Sequence, residues 1–106
     1  MNMIRRERLT SETRALANKP HSGFMFVGRP SAVGNPFVIG RDGSRSDVIA
    51  RFEQWFDSDT GLQGEFLRAA RYAWKPGFGI MLLCYCHANE ACHADVLVTF
   101  LKERSK

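Results

Sequence analysis

The residues of this 106-residue chain best suited to chemistry lie toward its C-terminal end. Cys84, Cys86, His87, Cys92 and His93 place five groups able to ligate a metal or attack a substrate within ten residues, and no cysteine lies elsewhere. If Cys84 to Cys86 is extended, its two sulfurs point to one face, while Cys92 and His93 return from a short loop. Zinc takes thiolate and imidazole in a tetrahedron, so Cys84, Cys86, Cys92 and His93 form one candidate ligand set. The spacing departs from the usual two-pair pattern, because an adjacent Cys-His pair does not easily aim both side chains at one ion. A second chemistry needs no metal. Cys92 stands just before an expected helix, where free backbone N–H groups and the helix dipole favour a thiolate, with His93 as its candidate base and Cys86 as a disulfide partner under oxidation. Against both stands the plain alternative that Cys84 packs as a small apolar residue within a strand.

The elements that must position these groups are read from periodicity and breakers. Phe24 to Val27 is a short apolar run between Gly23 and Gly28, which predicts a buried strand. Two glycines and two prolines then shape the loop from Gly28 to Phe37, and Phe37 to Ile39 is a candidate second strand. Ser44 and Asp47 fit a capping box ahead of a helix over 46–57, and Leu62, Phe66, Ala70 and Ala73 continue the pattern in a helix closed by Pro76-Gly77. Ile80 to Cys86 is a continuous apolar run suited to a central strand. Val96, Leu97, Phe100 and Leu101 mark a final helix over 93–104. Trp55, Trp74 and Tyr85 are expected as core or near-core aromatics, and His21 as an exposed linker residue. A weak helical stripe over 4–18 precedes all of these. The expected fold is therefore α/β or α+β, a small single domain with a mixed sheet and about three to four helices packed on it.

In such folds ligands gather beyond the carboxyl ends of the strands. Two shaped loops follow expected strands here, and they converge if those strands run parallel and side by side. Arg29 would then offer a bidentate anion donor and Asn35 an amide for a base or ribose edge. Cys86 and Asp95 would line the opposite side, with backbone donors at Ala94 and Asp95. The local alternatives are that Arg29 is a surface charge and that Asn35 bonds its own backbone ahead of Pro36.

A composition of 44% hydrophobic and 25% charged residues excludes a disordered or collagen-like chain, and no apolar run reaches membrane-spanning length. The absence of a secretory-type leader points to the cytoplasm, or the host cytoplasm if the protein is viral. The net charge of +4 is uneven: residues 1–21 hold five basic residues against two acidic ones. Residues 1–22 thus read as a basic N-terminal arm, a surface able to contact nucleic acid or a host protein or else a solubilising terminus, and 23–106 as the single domain.

The ordered blocks Phe26-Val27-Gly28-Arg29-Pro30-Ser31, Gly34-Asn35-Pro36-Phe37, Gly40-Arg41-Asp42-Gly43-Ser44-Arg45, Cys84-Tyr85-Cys86 and Cys92-His93-Ala94-Asp95-Val96-Leu97 resemble domain of unknown function 4326 over roughly residues 23–101. That family of short bacterial and bacteriophage proteins takes its name from a Cys-Trp-Cys motif. Tyr85 here replaces the usual tryptophan, and Val33 stands where an aromatic is common. The resemblance implies that Arg29, Asn35, Cys86, Cys92 and His93 belong together and that the setting is bacterial or viral, with a host-takeover or counter-defence role. It implies no reaction. The leading expectation is a domain that binds or processes a phosphate-bearing nucleotide or nucleoside-type ligand, without metal or with zinc. The rival is a non-enzymatic, zinc-stapled binding module.

Overall fold

The computed structural model describes residues 3–87 and 89–104. Its elements are β1 (Met3–Arg8), α1 (Ser11–Leu16), β2 (Phe24–Phe26), α2 (Arg45–Asp57), α3 (Thr60–Ala73), β3 (Gly79–Cys84) and α4 (Ala94–Arg104). The fold is α/β, a three-stranded sheet in the order β1-β3-β2 with four helices. Both pairings are parallel, and antiparallel contact among the described residues is confined to the isolated Lys75–Gly79 bridge.

The hydrophobic pattern decides the strand order. β3 is apolar at every position and buried at all but Met81, so it takes the centre, where both faces and both edges are covered. β1 carries four charges in six residues and can occupy only an edge, with Ile4 turned into the core and paired in register with Ile80. β2 takes the other edge, where Asn18 closes its outer side: the Phe26 N–H donates to Asn18 Oδ1 and the Asn18 N–H to Phe24 O.

Helix α2 starts as the capping box predicts, with the Asp47 N–H donating to Ser44 Oγ and the Ser44 N–H to Asp47 Oδ2. Phe52 and Phe56 of α2, Phe66 of α3 and Phe100 of α4 meet in a run of ring contacts with centroids 5.0–6.1 Å apart. These rings pack with Val27, Ile80, Leu82 and Leu97 in one core.

Four expectations are corrected. The stripe over 4–18 is not one helix: residues 3–8 extend along β3, and only Ser11–Leu16 are helical, started by the reciprocal Thr10–Thr13 cap. The N-terminal segment is consequently no detached arm, because β1 is part of the sheet and the Leu9 N–H still donates to Cys84 O. Phe37 to Ile39 forms no strand. The Phe37 N–H donates to Asn35 Oδ1 and the Val38 N–H to Asp42 Oδ2, so side chains close the loop in place of a neighbouring strand. Tyr85 is 56% exposed rather than core, because β3 ends at Cys84 and the next residues bend away. Trp55 and Trp74 do pack against the core, and His21 is exposed.

Candidate functional site

β2 and β3 run parallel and adjacent, so the loops that follow them do converge, at the carboxyl edge of the sheet. Between them lies a cavity of about 410 Å³. One wall carries Gly28, Arg29, Asn35, Phe37 and Ile39, the other Tyr85, Cys86, Glu90, Cys92 and His93, and Cys84 together with Arg45, Val48 and Ile49 of α2 completes the lining.

The first wall is bonded mostly to itself. Arg29 Nε donates to Asn35 O at 2.6 Å and Nη2 to Phe37 O at 2.9 Å, so the guanidinium staples its own loop while lining the cavity. Asn35 is buried; its Nδ2 donates to Val48 O at 3.1 Å and its Oδ1 accepts from the Phe37 N–H at 2.9 Å. The loop folds so tightly that a Cβ on Gly34 would lie 3.0 Å from the Arg29 backbone and Gly28 O. Gly28 has a similar reason: a Cβ there would come within 2.8 Å of the Phe26 ring, which meets the Tyr85 ring edge-on.

The second wall is held from outside. Arg6 of β1 pairs with Asp95 Oδ1 at 2.8 Å and donates to the backbone carbonyls of Glu90 and His87. Arg45 of α2 pairs with Glu90 Oε2 at 3.1 Å and donates to Ala91 O at 3.1 Å, with Cys86 Sγ 3.8 Å from its Nη1. The carboxylates are tied in turn. Glu90 Oε1 accepts from the His87 N–H, and Asp95 Oδ2 from the Cys92 N–H, so both close the turn around the cysteines.

Inside this frame the sulfurs of Cys84, Cys86 and Cys92 all lie within 4.8 Å of one another, close enough to hold one metal ion. All three are free thiols, Cys84 and Cys92 buried and Cys86 half-buried. Each sulfur faces a positive pole. The guanidinium of Arg6 and the Cys86 N–H act on Cys84, Arg45 reaches Cys86, and the Ala94 N–H at the start of α4 acts on Cys92. The group shares its protons unequally. The bond with Cys92, together with the Cys86 amide and Arg6, lowers the Cys84 thiol to about 6, whereas Cys84 and burial raise Cys92. The pair thus favours one thiolate at neutral pH, stabilised by its neighbour's S–H.

His93 sits beside this cluster without joining it. Its Nε2 bonds Val27 O at 2.8 Å, and its Nδ1 faces Cys92 Sγ at 3.7 Å. Burial pushes its pKa down, with Arg29 adding to the effect and the Val27 carbonyl opposing it. The ring is therefore neutral near pH 7, and the bond to Val27 O places the proton on Nε2, leaving the Nδ1 lone pair toward Cys92.

The structure thus brings Arg29, Asn35, Cys84, Cys86, Cys92 and His93 to one cavity, while Asp95 acts from behind the loop. Sequence reasoning missed Arg6, Arg45 and Glu90. No local signal marks them, because Arg6 and Arg45 reach their loop partners across 84 and 45 residues. Apolar Ile4, which turns inward, is the one signal that points to β1.

Among the described residues no helix is long and apolar enough to cross a membrane. No curated protein and no solved structure matches the chain. The pattern of one family matches residues 10–103, beginning earlier than the blocks around Gly28 suggest and taking in α1. The chain belongs to that family, described as a domain of unknown function (DUF4326).

Proposed function

We propose that this domain binds zinc through Cys84, Cys86 and Cys92 and, beside the metal, takes a small phosphate-bearing ligand of nucleotide or nucleoside type. The observation that carries the reading is the placement of three sulfurs within 4.8 Å of one another on the lining of a 410 Å³ cavity. Soft thiolates in a compact set select zinc over hard cations, and the Arg6 guanidinium and the Cys86 amide favour the deprotonated form of Cys84 that a metal needs. The ligand class is supported by the rest of the lining. Phe37, Ile39, Ile49 and Tyr85 offer apolar surface for a ring, and Arg29 and Arg45 offer two guanidiniums for an anion.

In the N-terminal segment Arg5 pairs with Glu7, Arg6 with Asp95, and Arg8 bonds His87 Nδ1, so three of its five basic residues are engaged within the fold.

The test is elemental analysis of protein purified without chelators, followed by calorimetric titration with adenosine and guanosine 5′-monophosphates. The reading expects roughly one zinc per chain in the wild type and a small residue of it in Cys92→Ser, as for a site built on three thiolates. Wild-type protein free of zinc that takes up none when refolded with it sinks the metal half. Zinc-loaded protein with no heat from any phosphate-bearing nucleotide or nucleoside sinks the ligand half.

A further inference from the structure

Resting on the zinc reading above, we infer that the metal centre is open: three cysteines hold the ion, and the fourth position faces the cavity, where the donor atom of a small planar anion displaces a water.

Tetrahedral zinc needs four donors, and a closed structural site takes all four from the protein. The described residues supply three here. The other candidates near them are tied to partners of their own, although His93 turns its Nδ1 toward Cys92 Sγ at 3.7 Å. His93 is fixed on both sides of its ring, by the Nε2 bond to Val27 O at 2.8 Å and by edge-on packing against Phe52 at 5.0 Å, and it stands outside the set of mutually close ligand atoms. Glu90 divides its two oxygens between the His87 N–H and Arg45. Asp95 divides its own between Arg6 and the Cys92 N–H. His87 is exposed and bonded to Arg8.

The free side of the sulfur triangle is therefore the side with space. All three cysteines line the cavity, so an ion held by them presents its remaining position there. A zinc ion with three thiolates carries one net negative charge, which by itself would repel an anion. Arg6 beside Cys84 and Arg45 beside Cys86 offset that charge, and Arg29 adds a further cation on the facing wall. Tyr85 and Ile39 are two of the four exposed large hydrophobic residues among the described residues, at 56% and 49%, and both lie on this cavity. They present apolar surface to a ring at its mouth. A planar molecule with a ring nitrogen or oxygen donor toward the metal and an anionic group toward Arg29 and Arg45 satisfies all of these features at once.

Cobalt(II) reports the geometry directly, since its visible bands follow coordination number and donor type. Reduced, metal-free protein is titrated with cobalt(II), then with azide as a small anionic donor, and finally with adenosine 5′-monophosphate. An open centre predicts sulfur-to-cobalt charge-transfer bands that saturate at one equivalent and visible bands that shift on adding azide and return after its removal. It also predicts an azide-free spectrum unchanged in His93→Gln. A wild-type spectrum indifferent to both azide and the nucleotide, with visible bands that move in His93→Gln, overturns the inference in favour of a closed centre of three cysteines and His93. Absence of charge-transfer bands in the wild type removes the metal reading itself, a different failure that the same titration tells apart.

Discussion

The two loops that face each other across the cavity are built on opposite principles. The loop from Gly28 to Phe37 largely stabilises itself: Arg29 and Asn35 bond backbone groups of the same loop, and it is anchored outside by Asn35 Nδ2 on Val48 O and by Arg41 Nη2 on Pro36 O. The loop from Tyr85 to His93 is held by Arg6 and Arg45, which come from a distant strand and a distant helix. The first spends its polar side chains on its own shape and contributes a rigid wall. The second is shaped by others, and its two sulfurs gather with that of Cys84 on the cavity lining. Chemistry is therefore expected from the second loop and support from the first, although the most eye-catching polar residues in the sequence, Arg29 and Asn35, belong to the first.

The comparison can be broken by substitution, beginning where the effect should be largest. Asn35→Ala removes two hydrogen bonds and leaves the Phe37 N–H without its acceptor, and it should cost about 2–3 kcal/mol in urea unfolding. A loss near zero would show that the first loop does not depend on its internal bonds. Next come two arginines adjacent in sequence but different in role. Arg6→Gln should destabilise by about 1–2 kcal/mol, since its side chain is 15% exposed and bonds a charged partner. Arg5→Gln should cost under about 0.5 kcal/mol, because its pair with Glu7 is half in solvent. Equal effects from the two would mean that the second loop is not held from β1.

The smallest expected effect is a pH dependence. His93 has its pKa lowered by burial, so below the ordinary value of 6.5 the unfolded chain binds more protons than the folded one. The His93 contribution to the stability of the metal-free protein is then full above about pH 6.5 and is lost as the pH drops from there toward the folded pKa. Urea midpoints at successive pH values should fall more steeply below pH 6.5 in the wild type than in His93→Gln. A midpoint that stays level between pH 7 and 5 in the wild type would contradict the buried, neutral imidazole.

The same contrast explains what could be read from the sequence. The starts and ends of α2, α3 and α4 follow from helical periodicity and capping residues, and β3 from its unbroken apolar run, because those signals are local. Convergence of the two loops followed from one condition, parallel neighbouring strands, which β2 and β3 meet. β1 was hidden because Arg5, Arg6 and Arg8 resemble a solvated terminus, and only Ile4 betrays an inward face. The stretch at Phe37 was misjudged because its amides are taken by Asn35 and Asp42, a competition that propensity does not record. The cysteines announced chemistry by type and spacing. Their geometry as a set of three without His93 depends on how Val27, Arg6 and Arg45 position the loop, and those contacts exist only in the folded chain.

The claim most open to direct measurement is that one ion is held by Cys84, Cys86 and Cys92. Zinc-edge X-ray absorption of the loaded protein should show three sulfur scatterers at about 2.3 Å and one lighter nitrogen or oxygen donor, as for a three-thiolate zinc site. Two or fewer sulfurs, or a shell of light atoms alone, would contradict the account.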